Sequence, residues 1–270
     1  MTDFNRQDPL ALGIESIEVI PHRLPDENPE GHLPDYEAFE KAECGNRKAE
    51  VGIEALPNHP PQPLDPQPAT CGAPPHKHQS SIPNPPFNIL YAGHLYDLKG
   101  TPQLVEAFAE IAPKHPQTKL VLMGEFLPPY TQDICRARCR DLGIEDRVEI
   151  TGVLRGENKA AQFRAAHLFV FPSVAPYESF GLVLAEAMMW GLPIVATDWR
   201  GNRNVAGSEA VYCQTHDSQT LSRLGGCLLT MLSDLQKIPL IAKASRGRYE
   251  SHYRLGDRDC DYCDVVDRSR

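Results

Sequence analysis

Two glutamates eight positions apart, Glu178 and Glu186, are the residues of this chain best suited to ligand chemistry. Between them, residues 179–181 (Ser-Phe-Gly) lead into an apolar run that predicts a helix ending at Gly191. The first N–H groups of a helix have no intrahelical partner and attract an anion. The two carboxylates would lie near one line, about 12 Å apart, and each accepts hydrogen bonds from hydroxyl groups. This stretch predicts an anion site flanked by two hydroxyl-bearing groups.

The elements around these glutamates alternate between short apolar runs and amphipathic segments, starting at Phe87. The apolar runs predict strands at residues 88–92, 119–123, 147–151, 168–171, 194–197 and 210–212. The first amphipathic segment begins at Thr101, predicted as an N-cap, with Pro102 as the first helical residue. Further helices are predicted at residues 131–142, 157–166, 181–191, 218–232 and 239–253.

Strands that alternate with helices through short connections predict a Rossmann-like α/β fold: a mostly parallel sheet with helices on both faces. Ligands of such sheets bind outside the carboxyl ends of the strands. Small or polar residues follow five of the predicted strands, namely Gly93, Gly124, Gly152, Pro172 and Asp198. The predicted site is therefore a rim assembled from loops that are distant in sequence.

Composition divides the chain into three parts. Residues 1–87 hold 16 of the 25 prolines and 14 acidic against 6 basic residues. We expect residues 1–86 to be a largely irregular, proline-rich acidic segment with one short strand at residues 17–20. Residues 87–254 would form the α/β domain, and residues 255–270 an irregular acidic tail.

The charge pattern and the hydropathy pattern exclude some functions. The formal charge of -9 arises mostly in the leader, and no basic cluster supports binding to nucleic acid. No stretch reaches the roughly 18 apolar residues of a membrane-spanning helix, and the polar start lacks a signal pattern, so we expect a cytoplasmic protein. The eight cysteines are accordingly expected to be free thiols. The Cys and His groups in the leader and tail are too small for a zinc site.

Five segments together resemble a known family. They read, in chain order, ILYAGHLYDLKG, LVLMGE, LGIEDRVEITGVL, AAHLFVFPS and ESFGLVLAEAMMWGLPIVATDWRG. In content and order they resemble the C-terminal, donor-binding half of retaining glycosyltransferases of the GT-B fold, of the group 1 (family 4) type. The resemblance covers about half of the chain. It implies a nucleoside diphosphate sugar as donor substrate and implies neither a metal ion nor another cofactor.

The resemblance also implies roles for individual residues. The second glutamate, Glu186, would hydrogen-bond the ribose hydroxyls, and the first, Glu178, would lie beside the donor sugar and the diphosphate. Lys99 would neutralise the diphosphate as it leaves. Glu178 and Lys99 are thus the implied catalytic residues. The implied donor-binding residues are His94, Val153, Ser179, Phe180, Gly181, Leu182 and Glu186. Taken without the family pattern, Glu178 and Glu186 are better explained as a helix-start acid and a solvated helix residue, and Lys99 as a surface lysine.

Two positions depart from the family pattern. His94 stands where an arginine is usual, so a permanent positive charge is missing there. Asn204 stands where an acidic residue is common, and Arg200 and Arg203 are close enough in sequence to compensate.

The resemblance implies a partner as well. The family enzyme has an N-terminal domain that supplies the acceptor site, and the segment GIESIEVIPHRLPDE resembles the exit from such a domain. We therefore expect either a glycosyltransferase that works with a separate acceptor-binding domain or a non-catalytic or truncated nucleotide-sugar-binding subunit. A dinucleotide-dependent oxidoreductase is disfavoured, because the loop after the first strand reads GHLYDLKG instead of G-x-G-x-x-G.

Overall fold

The computed structural model describes residues 24, 26–36, 86–178, 181–214 and 223–254. The strand expected at residues 17–20, nearly all of the proline-rich segment and the tail at residues 255–270 lie outside the described residues.

The described residues contain six strands that form one parallel sheet. The strands are β1 (Phe87–Ala92), β2 (Thr118–Met123), β3 (Val148–Gly152), β4 (Leu168–Phe171), β5 (Ile194–Thr197) and β6 (Val211–Cys213). Their order in the sheet is β3-β2-β1-β4-β5-β6, and every neighbouring pair is parallel. Strands β1, β2 and β3 follow one another to one edge of the sheet. The chain then returns to place β4 beside β1, and β5 and β6 follow to the other edge. The predicted Rossmann-like α/β fold is confirmed.

The helices lie between these strands and after them. They are α1 (Thr101–Ile111), α2 (Gln132–Asp141), α3 (Gly156–Ala165), α4 (Leu182–Met189), α5 (Asn202–Ala206), α6 (Leu224–Leu232) and α7 (Ile238–His252). A single 3₁₀ turn at Asp97–Lys99 joins β1 to α1.

The sheet has a hydrophobic core on each face, because alternate side chains of a strand point to opposite sides. In β1, Ile89 and Tyr91 belong to one core with α1, α2 and α6, whereas Leu90 and Ala92 belong to the other with α3 and α4. Helix α7 contributes to both cores. Fully burying a leucine or isoleucine side chain contributes about 1.5–3 kcal/mol, so the two cores stabilise β1 from both faces.

The start of α1 differs from the prediction. The N-cap is Gly100, with φ 72°, and Thr101 is already helical. A Cβ atom at position 100 would lie 2.3 Å from the carbonyl oxygen of Pro172. The backbone turns here with positive φ and lies against a neighbouring loop, which favours glycine. Gly100 is therefore the N-cap, the role predicted for the side chain of Thr101.

The described part of the leader packs on the domain. Leu24 forms a parallel bridge with Arg254, and the Asp26 carboxylate is 2.6 Å from Nη2 of Arg246, in α7. Both side chains of that ion pair are only 6% exposed. Farther along, the hydroxyl of Tyr36 donates to the carbonyl oxygen of His167, just before β4. Residues 24 and 26–36 are therefore part of the folded unit.

The prediction of free cysteines is wrong for one pair. Cys213 at the end of β6 and Cys227 in α6 form a disulfide, with their Cα atoms 6.1 Å apart. The packing of α6 beside β6 brings the two residues together although 14 positions separate them. Cys135 and Cys139 in α2 are free and buried. The other four cysteines lie outside the described residues.

Candidate functional site

A cleft of about 660 Å³ opens at the carboxyl ends of β1 to β4. It lies where β1 and β4 are neighbours, the point from which the chain builds toward opposite edges of the sheet. Open α/β sheets bind ligands at such a reversal of strand order. The residues lining the cleft are Ala92, Gly93, His94, Lys99, Met123, Gly124, Glu125, Val153, Leu154, Arg155, Lys159, Phe171, Tyr177, Glu178, Gly181, Leu182, Val183 and Glu186.

The cleft brings together the predicted site residues that the structure describes. Seven of them line it: His94, Lys99, Val153, Glu178, Gly181, Leu182 and Glu186. Ser179 and Phe180 lie outside the described residues. The loops that carry these seven residues span more than ninety positions of sequence, and the parallel sheet gathers them at one edge.

Helix α4 presents its N-terminus to the cleft. Its N-cap, Gly181, has φ 61°, a conformation that glycine adopts without strain. The first helical bond runs from the amide of Leu184 to the Gly181 carbonyl at 2.8 Å, while Leu182 and Val183 line the cleft. The remainder of α4 is largely buried, so the core holds the axis of the helix and aims its positive end at the cleft.

An ion pair between Lys99 and Glu178 lines the cleft. Lys99 lies in the 3₁₀ turn after β1 and Glu178 in the loop after β4, and their side chains are only 14% and 11% exposed. Oγ of Ser173 donates to the same carboxylate at 3.1 Å. The amide of Val174 donates to the Leu98 carbonyl at 2.8 Å and ties the two loops together. The result is a sheltered lysine fixed beside a carboxylate.

A second ion pair also lines the cleft. Nζ of Lys159, in α3, is 2.6 Å from Oε1 of Glu186, in α4. The two side chains are 33% and 26% exposed. Two lysine–glutamate pairs and the N-terminus of α4 therefore line the same cleft.

The structure adds residues that the sequence analysis missed. Arg155, Lys159 and Tyr177 line the cleft, and Ser173 supports Glu178 from behind. Lys159 and Glu186 are 27 positions apart on different helices, so no periodicity or motif connects them. In the sequence, Ser173 is the last residue of the family segment AAHLFVFPS, and no role was predicted for it. Burial, followed by the Glu178 carboxylate, raises the pKa of the Tyr177 hydroxyl.

The two departures from the family pattern have different surroundings. His94 lies exposed on the cleft, and its carbonyl oxygen accepts a 2.6 Å hydrogen bond from the buried Tyr91 hydroxyl. The other departure, Asn204, is exposed in α5. Arg203 beside it forms an ion pair with Asp198 at 2.8 Å, and the hydrogen bond from Arg203 lowers the pKa of the Asp198 carboxyl. Arg203 is thus engaged with Asp198.

No group of three or more His, Cys, Asp or Glu side chains among the described residues is arranged to hold a metal ion. Within the same residues, no helix combines the length and the apolar character needed to cross a membrane.

The fold and the cleft define a Rossmann-like α/β domain with a candidate ligand site at the carboxyl ends of its strands. The chain belongs to the family described as Glycosyl transferases group 1, whose model matches residues 86–230, more than half of the chain. This confirms the family resemblance found in the sequence.

Known members share sequence with this domain. It is 33% identical over 135 residues to an uncharacterized glycosyltransferase of Methanocaldococcus jannaschii, covering 48% of this chain and 33% of that protein. It is 31% identical over 165 residues to the mannosylfructose-phosphate synthase of Agrobacterium fabrum, covering 58% of this chain and 35% of the synthase. The chain therefore spans about a third of the length of these curated relatives.

A solved structure shares the fold. The Anabaena protein Alr3699/HepE, in complex with UDP and glucose, superposes with a TM-score of 0.57 and 25% sequence identity. The match covers 67% of this chain and 48% of that protein.

Proposed function

We propose that the cleft binds a nucleoside diphosphate sugar and that the protein takes part in retaining transfer of the sugar to an acceptor. The observation that carries this proposal is that Glu178, Glu186 and the first residues of α4, Leu182 and Val183, line one cleft. Membership of the glycosyltransferase family supports it. So does the similarity to Alr3699/HepE, whose structure holds UDP and glucose.

The proposed ligand fits the cleft as follows. The diphosphate lies at the N-terminus of α4, where the amides of Leu182 and Val183 can donate to its oxygens. Glu186 accepts hydrogen bonds from the two ribose hydroxyls. The base lies against the loop at Val153, whose side chain is exposed. The sugar lies beside Glu178, at the opposite end.

Lys99 is the proposed source of positive charge for the reaction. Cleavage of the bond from the anomeric carbon to the diphosphate leaves negative charge on the departing phosphate oxygens. A fixed ammonium group in a largely water-excluded position stabilises charge that develops in the transition state. Lys99 is 14% exposed and already held in place by Glu178. We therefore propose that Lys99 and the amides of α4 do this without a metal ion.

The acceptor is proposed to come from a second domain. The cleft described above supplies donor-side groups, and the family resemblance implies that an N-terminal-type domain presents the acceptor and closes over the donor. That domain and its acceptor are proposals for this protein, since the match covers about a third of the curated relatives.

Calorimetry with UDP-, GDP- and ADP-sugars tests the donor site directly. We expect one nucleotide class to bind, and Glu186→Ala to weaken it about ten- to a hundredfold, because two hydrogen bonds to a carboxylate are lost. The matched control is Glu149→Ala, which removes another partly exposed glutamate that pairs with a lysine, Lys119, away from the cleft. Failure of all three nucleotide classes to bind the parent chain would refute the proposal.

A further inference from the structure

Lys159 is the one residue paired with Glu186 among the residues that the structure describes. Its ammonium group bridges from α3 to α4 along the wall of the cleft. The same nitrogen lies 5.8 Å from the ring centroid of Phe163, one helical turn farther along α3. The lysine is therefore located by an aromatic ring on its own helix as well as by the carboxylate it contacts.

The ion pair engages one of the two oxygens of the Glu186 carboxylate. Lys159 contacts Oε1, and Oε2 has no partner among the described residues. A carboxylate on a flexible glutamate side chain samples several orientations, and a hydrogen bond to one oxygen restricts where the other points. The pair therefore leaves one acceptor oxygen available in a restricted position.

Lys159 also contributes to the charge balance of the cleft lining. Among the described residues that line the cleft, two lysines and one arginine balance three glutamates: Lys99, Lys159 and Arg155 against Glu125, Glu178 and Glu186. A nucleoside diphosphate adds further negative charge. Without Lys159 the cleft would carry a net negative charge before the ligand arrives, and like charges repel.

We infer that Lys159 is a positioning residue for the nucleoside: it holds the Glu186 carboxylate so that the free oxygen meets the ribose hydroxyls. This inference rests on the proposed function, because it assumes that Glu186 binds a ribose. Lys159 thereby contributes to the part of the nucleotide affinity that comes from the ribose hydroxyls.

The test compares a nucleoside diphosphate with its 2′,3′-dideoxy counterpart. The full chain is titrated with whichever of UDP, GDP and ADP binds most tightly, and then with the dideoxy form of that nucleotide. For Lys159→Met we expect the ribonucleotide to bind about three- to tenfold more weakly, the effect of losing about one well-placed hydrogen bond. The dideoxy nucleotide should lose clearly less affinity in the variant than the ribonucleotide does, because it has no hydroxyls for Glu186 to meet and feels only the lost positive charge.

Two further variants control for charge and for folding. Lys159→Arg retains a cation that can reach Glu186, so it should recover most of the ribonucleotide affinity. Lys119→Met removes a lysine from the 2.5 Å pair with Glu149, which lies off the cleft, and should leave both Kd values unchanged. Thermal unfolding of each variant, compared with the parent, shows whether the chain remains folded.

Three results would overturn the inference. An equal loss for the ribonucleotide and the dideoxy nucleotide would mean that Lys159 acts through its charge alone. Tighter binding by Lys159→Met would mean that the lysine competes with the ribose for Glu186. An unchanged Kd for both ligands would mean that the pair plays no part in binding. If the parent chain binds none of the three nucleotides, the proposed function fails first, and that outcome is distinct from these three.

Discussion

Lys99 and Ser173 both donate to Oε2 of Glu178, so a charged and a neutral donor share one carboxylate oxygen. Among the described residues, Oε1 of Glu178 has no partner. Glu186 repeats this arrangement with Lys159 on one oxygen. In both cases a lysine satisfies part of the carboxylate and leaves the remainder for a ligand. The two glutamates are therefore restrained before any ligand binds.

Removing Lys99 should destabilise the fold through Glu178. Lys99→Met leaves a carboxylate that is 11% exposed, with the Ser173 hydroxyl as its one remaining donor among the described residues. We expect a loss of about 1–3 kcal/mol in the free energy of unfolding. Adding Glu178→Gln should recover most of that loss, because a neutral amide needs no counter-charge. Urea denaturation of the single and double variants at pH 7 measures the effect. Additive losses in the double variant would contradict this account of the pair.

At the scale of elements, α4 is anchored at its C-terminal end. Its N-terminus faces the cleft, and the carbonyl oxygen of Met189, in its last turn, accepts hydrogen bonds from Arg246 at 2.5 Å and from Asn28 at 3.2 Å. A cation near the C-terminus of a helix is favoured by the helix dipole. Asp26 in turn neutralises Arg246. A segment more than 150 positions earlier in the chain therefore helps to fix the helix that carries the site.

Breaking this buried ion pair should cost far more than breaking a surface pair. For Arg246→Met we expect a loss of about 2–4 kcal/mol in the free energy of unfolding, because Asp26 loses its buried partner and Met189 loses a donor. The comparison is Lys237→Met, which removes an exposed 2.7 Å pair with Asp234 and should cost less than about 1 kcal/mol. Urea denaturation of both variants gives the two values. Equal losses would show that the Asp26 contact does not anchor α4.

The sequence predicted the elements better than the contacts between them. Strands β4 and β5 have the predicted bounds, because apolar runs and the glycines and prolines beside them are local signals. The cap of α1 was misassigned, since Gly100 is required by the approach of Pro172, more than 70 positions away. Lys159 with Glu186, and Asp26 with Arg246, are likewise pairs created by the packing of distant segments. Local patterns carry no record of such pairs.

For the candidate site, the motif located the two glutamates and the sheet explains why they share a cleft. Parallel strands place every following loop at the same edge, so the prediction of a rim needed only the alternation of strands and helices. The prediction of free cysteines failed for Cys213 and Cys227 because composition and context do not reveal which thiols the fold brings together.

At the scale of the whole molecule, the strand order concentrates ligand contacts at one edge of the sheet. The chain leaves β1 toward β3 and resumes at β4 on the other side, so the cleft touches loops from both halves of the sheet. A ligand bound there would connect segments that the backbone joins only through long crossovers. Binding should therefore stabilise the domain as a unit as well as protect the loops it contacts.

This predicts a specific pattern of ligand protection. A nucleoside diphosphate at 100 times its Kd should add about 2.7 kcal/mol to the stability, which corresponds to a rise in Tm of about 5–10 °C for a chain of this size. Hydrogen exchange by mass spectrometry should show slower exchange at His94, Leu182 and Val183, which line the cleft. The turn at residues 113–117 lies just before the amino end of β2, whereas the cleft lies at the carboxyl ends of the strands. The amides of this turn exchange by local opening and should keep their rates. A ligand slows exchange by local opening mainly where it contacts the protein. Protection at that turn without protection at Leu182 and Val183 would therefore place the ligand outside the cleft.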